Sequence, residues 1–346
     1  DTVGSVHNGD GTVSTPPGYR EAYKKFVEAG WPAAGFPEDI GGGGLPWAVA
    51  GAVQEMIITA DMGFSLCPML TYGTVDMLHL HGTDEQKAAF LGKLVTGEWS
   101  GTMVLTEPHA GSDVGALTTK AVRAEDGTWR LKGTKIFITW GEHDMVENII
   151  HVVLARTPNA PAGTKGISCF IVPKYLVDAD GSLGERNDYA CLSIEHKLGI
   201  HSSPTCMLSF GDAGKGAVGY LIGEENQGMR YMFTMMNEAR LSVGTEGVAV
   251  SERSYQAAAA YARQRKQGRT VGGDPGEQAT IIEHPDVRRM LMMMRANIEA
   301  MRGLLYRNAL ALDLARYLED EEARTQEESL AAILTPISKA WATDLG

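Results

Sequence analysis

The spacing of apolar residues changes twice along the chain. Residues 1–18 show little periodicity and are predicted to form a loop or arm, whereas from Pro17 to residue 101 apolar positions recur every three or four residues, which predicts amphipathic helices. From Thr102 to about Gly223, short alternating or β-branched runs are separated by turn residues, which predicts strands. After Gly223 the helical spacing returns and continues towards the last residues.

These patterns predict the following elements. Helices are predicted over 17–29, 46–61, 68–81, 84–96, 229–262 and 286–318, with a last helix from near Leu330. Strands are predicted over 115–123, 129–139, 148–156, 166–173, 192–197 and 205–211. Thr83 and Gln86 have the spacing of a capping box, which predicts a helix start at Asp84.

The order of the elements predicts an α+β chain with three domains. An N-terminal all-α domain is predicted over 1–101, and a middle antiparallel β-barrel or β-sandwich over 102–225. A C-terminal α-helical bundle over 226–346 follows, and we expect this bundle to be incomplete. The chain has no alternating βαβ pattern, which argues against a Rossmann fold.

Composition narrows the classes of function. The 346 residues carry a formal net charge of −12, which argues against nucleic-acid binding but permits a local site for a small anion. The four cysteines lack C-x-x-C spacing, so neither a metal site nor a disulfide framework is predicted, and we expect a reduced, cytoplasmic setting. Since no run of 18 apolar residues occurs, no membrane span is predicted.

Two neighbouring runs could carry chemistry. Residues 102–113 read Thr-Met-Val-Leu-Thr-Glu-Pro-His-Ala-Gly-Ser-Asp, an apolar strand that ends at Pro108 and opens into a small, polar loop. Residues 131–139 read Leu-Lys-Gly-Thr-Lys-Ile-Phe-Ile-Thr, an alternating run. From the residues alone, the pair is either an ordinary hairpin or a sheet edge. Such an edge would present amides, hydroxyls and one aromatic face to a phosphate or a polar ring.

These two runs also carry a family resemblance, together with Asn237-Glu-Ala-Arg240 and the run 261–265. In this order and spacing they resemble the acyl-CoA dehydrogenase family of flavoproteins. Residues 195–201 and 261–269 are similar to the branch that contains 3-methylmercaptopropionyl-CoA dehydrogenase. The resemblance implies an oxidoreductase that uses FAD to convert an acyl-CoA thioester to the trans-2-enoyl-CoA. It also implies a short or methylthio-substituted acyl group, an electron-transfer flavoprotein as acceptor, and a homodimer or homotetramer.

The resemblance further implies which residues bind. Matching flavin positions are Met103, Leu105, Thr106, Ser112, Phe137 and Thr139, where Phe137 replaces the usual Trp and loses the indole N–H. Arg265 matches an arginine that reaches the FAD pyrophosphate of a neighbouring subunit, with Gln267 beside it in place of the usual residues. Substrate positions are matched by Ser112, Asn237 and Arg240. The alternative for Arg240 is a structural ion pair within the bundle.

The catalytic base implied by the resemblance is missing. The usual Glu follows a glycine-rich stretch beyond the helix matched by 337–346. Some members instead place it just before the arginine matched by Arg240, where this chain has Ala239. Glu238 lies one residue too early, about 100° round the helix. The first residue is Asp1 rather than Met, so we expect a piece of a longer polypeptide with the base beyond Gly346.

Two rival functions remain open on the same scaffold. The first is a flavin-dependent oxidase, which differs in how oxygen reaches the reduced flavin. The second is a non-catalytic flavin-binding or DNA-associated relative, although the net charge of −12 argues against DNA contact within these residues.

Overall fold

A computed structural model describes residues 2–274 and 276–346. By their contacts they form two compact units. The first unit contains the residues up to Leu45 and Gly63–Ala239, and the second contains Pro46–Met62 and Arg240–Gly346. The three predicted domain bounds remain a prediction.

The elements are numbered in chain order. The helices are α1 (Tyr19–Glu28), α2 (Trp47–Ala60), α3 (Met62–His81), α4 (Asp84–Gln86), α5 (Gly92–Thr96), α6 (Gly228–Gln264), α7 (Pro285–Tyr317) and α8 (Glu321–Leu345). The strands are β1 (Val6–His7), β2 (Val13–Ser14), β3 (Ser100–Val104), β4 (Lys120–Arg123), β5 (Trp129–Thr139), β6 (Ile149–Ala155), β7 (Ser168–Pro173), β8 (Tyr175–Val177), β9 (Leu183–Arg186), β10 (Tyr189–Ile194), β11 (Thr205–Phe210) and β12 (Ala217–Leu221).

The helical part of the first unit matches the predicted pattern, with two differences. The capping box is present: Gln86 N donates to Thr83 Oγ1 at 3.3 Å, and Thr83 N donates to Gln86 Oε1 at 3.1 Å. A π-helical turn, Lys87–Leu91, joins α4 to α5. Helix α3 begins at Met62 rather than at Pro68, so the proline lies inside the helix. Burial of most residues of α3 offsets the hydrogen bond that Pro68 cannot make.

The β part of the first unit is an eight-stranded sheet in the order β10-β11-β5-β12-β7-β6-β3, with β4 also paired to β5. The predicted antiparallel arrangement holds for all of its pairs except one, because β3 pairs with β6 in parallel. Strand β6 is buried along its whole length, as expected for a central strand covered on both faces. The predicted α+β class is therefore confirmed, with a mixed sheet.

Five short strands, β1, β2, β8, β9 and β12, were not predicted from the apolar pattern. Strand β12 contains Gly219, whose Cβ would lie 2.5 Å from Leu131 Cδ1, so only glycine lets β12 approach β5. The two-stranded pairs β1–β2 and β8–β9 have strands of two to four residues. Such strands are too short for an alternation to be recognised.

The second unit is helical. Part of α6 packs with α2, α7 and α8 around a core that contains Leu241, Val248, Ile298, Met301 and Leu305. Helix α8 begins at Glu321, earlier than the predicted start near Leu330. The carboxylate of Asp320 caps it, accepting from Ala323 N at 2.7 Å, so the acidic run after Asp320 is helical.

In the parts of the chain that the structure describes, no helix is both long and apolar enough to cross a bilayer.

Candidate functional site

The loop after β3 is held in shape by its own backbone and by Glu107. Glu107 N donates to Ala110 O at 3.1 Å, and Ala110 N donates back to Glu107 O at 3.0 Å. This closed turn leaves Gly111 and Ser112 exposed at the surface. A Cβ built on Gly111 would meet no atom within 4 Å, so the space beside its Cα is open. Gly111 and Ser112 are therefore the residues of this turn that a ligand could approach, and their amides as ligand donors remain a prediction.

A buried ion pair joins this loop to β5. Lys135 Nζ lies 2.9 Å from Glu107 Oε1, and the two side chains are 0% and 2% exposed. Burial would raise the pKa of Glu107, but Lys135 and the hydrogen bonds from Thr119 and Thr118 outweigh it and lower the pKa to about 2. Burial lowers the pKa of Lys135 from 10.5 to about 8, against the opposing attraction of Glu107. Both side chains are therefore charged at neutral pH.

Phe137 lies on a bulge in β5. Cys206 pairs with Ile138 and Leu208 pairs with Lys135, so β5 has one more residue than β11 between these pairs. The backbone of Phe137 is left-handed, with φ 58°, and its side chain is 57% exposed. A bulky residue in this region is strained, and such strain concentrates at functional sites. The bulge turns an aromatic ring out of the sheet, where a flat ligand could stack on it.

The bulge and the loop lie side by side. Ile136 N donates to Thr106 O at 2.9 Å, which brings the predicted flavin residues of the loop next to those of β5. Among the described residues, the hydroxyls of Thr106 and Thr139 have no hydrogen-bond partner. The structure thus supplies an exposed aromatic ring and free hydroxyls within one unit, and these groups suit a flat, polar heteroaromatic ligand such as the flavin of FAD.

The other predicted residues of the loop have different surroundings. Leu105 is buried, at 8% exposure, and Met103 is partly buried against the same apolar core. Ser112 is exposed in the loop. Of these three residues, only Ser112 presents a polar side chain to solvent. The carbonyl of Leu105 accepts from Lys135 Nζ at 2.8 Å, so of its backbone groups only the N–H is left for a ligand.

The remaining predicted residues lie on α6 and just beyond it. Asn237 is exposed in the part of α6 that belongs to the first unit. Arg240, which is partly buried, belongs to the second unit, as do Arg265 and Gln267, which are both exposed. The guanidinium of Arg265 donates to Gln267 Oε1 at 3.2 Å. Within the first unit, Thr106 contacts β5 through the hydrogen bond from Ile136 N. Within the second unit, Arg265 is hydrogen-bonded to Gln267.

The sequence analysis did not single out Lys135 or Glu107 as site residues. The alternation of β5 could have identified Lys135, because Leu131 and Lys135 lie on the same buried face of the strand. A lysine at an inward position requires a buried partner.

A buried carboxyl in the second unit was also missed. Glu246, on α6, is 5% exposed, and its Oε1 has no hydrogen-bond partner among the described residues. Burial raises the pKa of Glu246 to about 7, against a smaller opposing effect of Lys339. Although this pKa suits a base, the enclosed Oε1 cannot contact a substrate without rearrangement. Ala239 and the buried Glu238 are placed on α6 as the sequence predicted.

Comparison with known proteins supports the sequence resemblance. Models of the acyl-CoA dehydrogenase N-terminal, middle and C-terminal domains match residues 11–98, 102–213 and 226–335. The chain is 50% identical over 335 residues to 3-methylmercaptopropionyl-CoA dehydrogenase of Ruegeria pomeroyi, covering 97% of this chain and 56% of that protein. It is 32% identical over 291 residues to an acyl-CoA dehydrogenase of Bacillus subtilis, covering 83% of this chain and 69% of that one.

A solved structure agrees. An acyl-CoA dehydrogenase from Bacillus anthracis in complex with FAD superposes with a TM-score of 0.77 at 26% identity, covering 94% of this chain and 52% of that one. The chain spans just over half the length of the Ruegeria pomeroyi protein. The resemblance found in the sequence, including the nearer branch, is confirmed. Since all three domain models match in order and a relative is similar over two thirds of its own length, the chain belongs to the acyl-CoA dehydrogenase family.

Proposed function

We propose that this polypeptide is the FAD-binding and acyl-CoA-binding part of an enzyme that converts an acyl-CoA to the trans-2-enoyl-CoA. One observation supports this most strongly: the polar loop at 105–112 lies beside the exposed Phe137 ring on its strained bulge. The 50% identity to 3-methylmercaptopropionyl-CoA dehydrogenase supports a short or methylthio-substituted acyl group. We also propose an electron-transfer flavoprotein as the acceptor and a homodimer or homotetramer as the assembly.

Each group of residues has a distinct task in this proposal. When bound, FAD supplies a hydride acceptor at N5 of its flavin. Phe137 supports one face of the flavin, while Thr106, Thr139 and the backbone N–H of Leu105 satisfy its polar edge. Ser112 serves the pyrophosphate of this FAD, and Arg265 serves the pyrophosphate of a neighbouring subunit's FAD, for which a fixed guanidinium charge is well suited. Met103 provides an apolar contact beside the loop.

On the substrate side, the residues must help to ionise a weak carbon acid. The proton α to the thioester is lost only where hydrogen bonds stabilise the developing enolate in a site without bulk water. We assign binding of the acyl-CoA to Ser112, Asn237 and Arg240. We further propose that the carboxylate base comes from residues outside 1–346. Ala239 offers no carboxylate, and the Oε1 of Glu246 is enclosed.

The test adds a base at the position that Ala239 occupies. The FAD-loaded polypeptide and its Ala239→Glu variant are mixed anaerobically with butyryl-CoA or 3-methylmercaptopropionyl-CoA, with Ala239→Gln as the matched control. We expect the yellow absorbance to bleach only with Ala239→Glu, because only that variant carries a carboxylate next to Arg240. Bleaching by the unmodified polypeptide would contradict the proposal that the base comes from residues outside 1–346. Binding of acyl-CoA without bleaching in any variant would contradict dehydrogenation.

A further inference from the structure

The ion pair between Glu107 and Lys135 is more completely buried than a surface salt bridge. Its two side chains are 2% and 0% exposed. Replacing such a pair by apolar groups of similar size is often neutral, whereas breaking one side of it is strongly destabilising. Stability alone therefore does not explain why this position on β5 is occupied by a lysine.

Glu107 is held by more donors than a stable turn requires. Its Oε1 accepts from Thr119 N at 3.0 Å and from Thr119 Oγ1 at 2.6 Å. Its Oε2 accepts from Thr118 N at 2.7 Å and from Thr118 Oγ1 at 2.9 Å. Thr119 comes this close to β5 because residue 133 is glycine: a Cβ there would lie 2.3 Å from Thr119 Oγ1. The carboxylate is therefore fixed in position, and it fixes the ammonium of Lys135 in turn.

The ammonium of Lys135 has a second acceptor. Lys135 Nζ donates to Leu105 O at 2.8 Å. The Leu105 carbonyl and the Thr106 N–H belong to one trans peptide, so they point in opposite directions. The Thr106 N–H therefore points away from Lys135, and among the described residues it has no backbone acceptor. A hydrogen bond to the carbonyl polarises the peptide and strengthens its N–H as a donor.

We propose that Lys135 is a positioning residue for the flavin, acting through the Leu105–Thr106 peptide. This rests on the proposed function, in which Thr106 contacts the polar edge of the flavin. Lys135 orients the peptide and polarises it, so that its N–H is a strong donor to negative charge on the flavin. Because the reduced flavin carries more electron density than the oxidised flavin, this donor stabilises the reduced form and raises the redox potential.

The experiment separates this role from stability with a double-mutant cycle. The variants are Lys135→Met, Glu107→Gln and the two together, each assayed for thermal midpoint, FAD dissociation constant and redox potential of the bound flavin. Lys135→Met leaves a carboxylate buried without its cation, so we expect a lower thermal midpoint. The double variant should recover much of that loss, because no buried charge is left unpaired.

The FAD dissociation constant and the redox potential of the flavin should not recover when the thermal midpoint does. In the double variant we expect the FAD dissociation constant to stay raised by about tenfold, as for loss of one charge-assisted hydrogen bond. Its flavin potential should be more negative than that of the unmodified protein. Glu107→Gln keeps the Lys135 nitrogen but removes the carboxylate that fixes it and supports its charge, so its potential should lie between those of the unmodified protein and the double variant.

A second buried pair in the same unit provides the control. Lys174 pairs with Glu142, and both side chains are buried at 10% and 1% exposure. Lys174→Met should lower the thermal midpoint without changing the flavin potential. Unchanged FAD affinity and potential in the Lys135→Met/Glu107→Gln variant would overturn the positioning role. Failure of the unmodified protein to bind FAD would instead contradict the proposed function itself.

Discussion

At the scale of single residues, Phe137 combines an exposed ring with a left-handed backbone. Its side chain is 57% exposed and its φ is 58°. An exposed Phe gains little from burial, and the left-handed backbone costs about 1–2 kcal/mol for a residue other than glycine. Both features oppose stability. We interpret them as a cost of presenting the ring to a ligand.

Phe137→Gly should therefore separate stability from binding. Glycine accepts the left-handed backbone, so we expect the free energy of unfolding to stay equal or to rise by up to about 1 kcal/mol. FAD affinity should fall by about tenfold, because the stacking face is lost. Chemical denaturation and a flavin fluorescence titration measure the two effects. Asn159→Gly, at another left-handed position with φ 62°, is the control and should leave FAD affinity unchanged.

Glu246 predicts a dependence of stability on pH. Its folded-state pKa is raised from 4.5 to about 7 by burial, so the folded state holds a proton that the unfolded state has released. Below pH 4.5 both states are protonated, and the carboxyl imposes no penalty. As pH rises from 4.5 to about 7, the unfolded state releases its proton while the folded state keeps it, so stability falls; above about 7 both states are ionised and the penalty stays constant.

Glu246→Gln should remove this penalty. We expect little change in the free energy of unfolding at pH 5 and a gain of up to about 3 kcal/mol at pH 8, from the shift in pKa. Denaturation at both pH values measures the difference, and Glu328→Gln at an exposed position of α8 controls for charge. An equal effect of Glu246→Gln at pH 5 and pH 8 would show that the pKa of Glu246 is not raised in the folded state.

At the scale of elements, α2 depends on a residue distant in sequence. Pro46, its N-cap, supplies no side-chain hydrogen bond. Instead, the carboxylate of Asp313 on α7 accepts from Trp47 N at 2.7 Å and from Ala48 N at 3.0 Å. This carboxylate satisfies two orphan donors and complements the positive end of the helix dipole.

Asp313→Ala should destabilise the second unit. We expect a loss of about 2 kcal/mol in the free energy of unfolding, because a buried cap is removed and two N–H groups lose their acceptor. Asp320→Ala, which removes the exposed cap of α8, should cost less, about 1 kcal/mol. Thermal or chemical denaturation compares the two variants. An effect of Asp313→Ala smaller than that of Asp320→Ala would contradict the proposed cap.

Elements with a long, regular pattern of apolar and polar residues could be predicted from the sequence, and elements without such a pattern were missed. Strand β5 was predicted with its observed bounds, since its alternation runs over the whole strand. The start of α8 was missed, because its first turns are acidic and only the cap at Asp320 marks them. The bulge at Phe137 depends on the register of β5 against β11, which local sequence does not encode. The role of Lys135 likewise depends on a partner 28 positions away in sequence, Glu107.

At the scale of the whole molecule, the position of Arg265 leads us to predict that the polypeptide associates with further copies of itself. Its side chain is exposed just beyond the end of α6, and the family resemblance directs it to the FAD of a neighbouring subunit. Arg265→Ala should therefore weaken FAD retention and self-association together, by about tenfold in FAD affinity for a lost charge-assisted contact. Light scattering with a flavin titration measures both. Arg263→Ala, in the last turn of α6, is the control. Loss of FAD from an intact oligomer would place the contact within one chain.

The central claim is that the loop at 105–112 and the bulge at Phe137 hold the flavin. Hydrogen exchange of the backbone amides with and without FAD tests this most directly, with β1 and β2 as reference segments within the same unit. We predict slower exchange on FAD addition in 105–113 and in 135–139, with Thr106 among the most protected amides, and little change in the reference strands. FAD binding that leaves exchange in both segments unchanged would contradict this site.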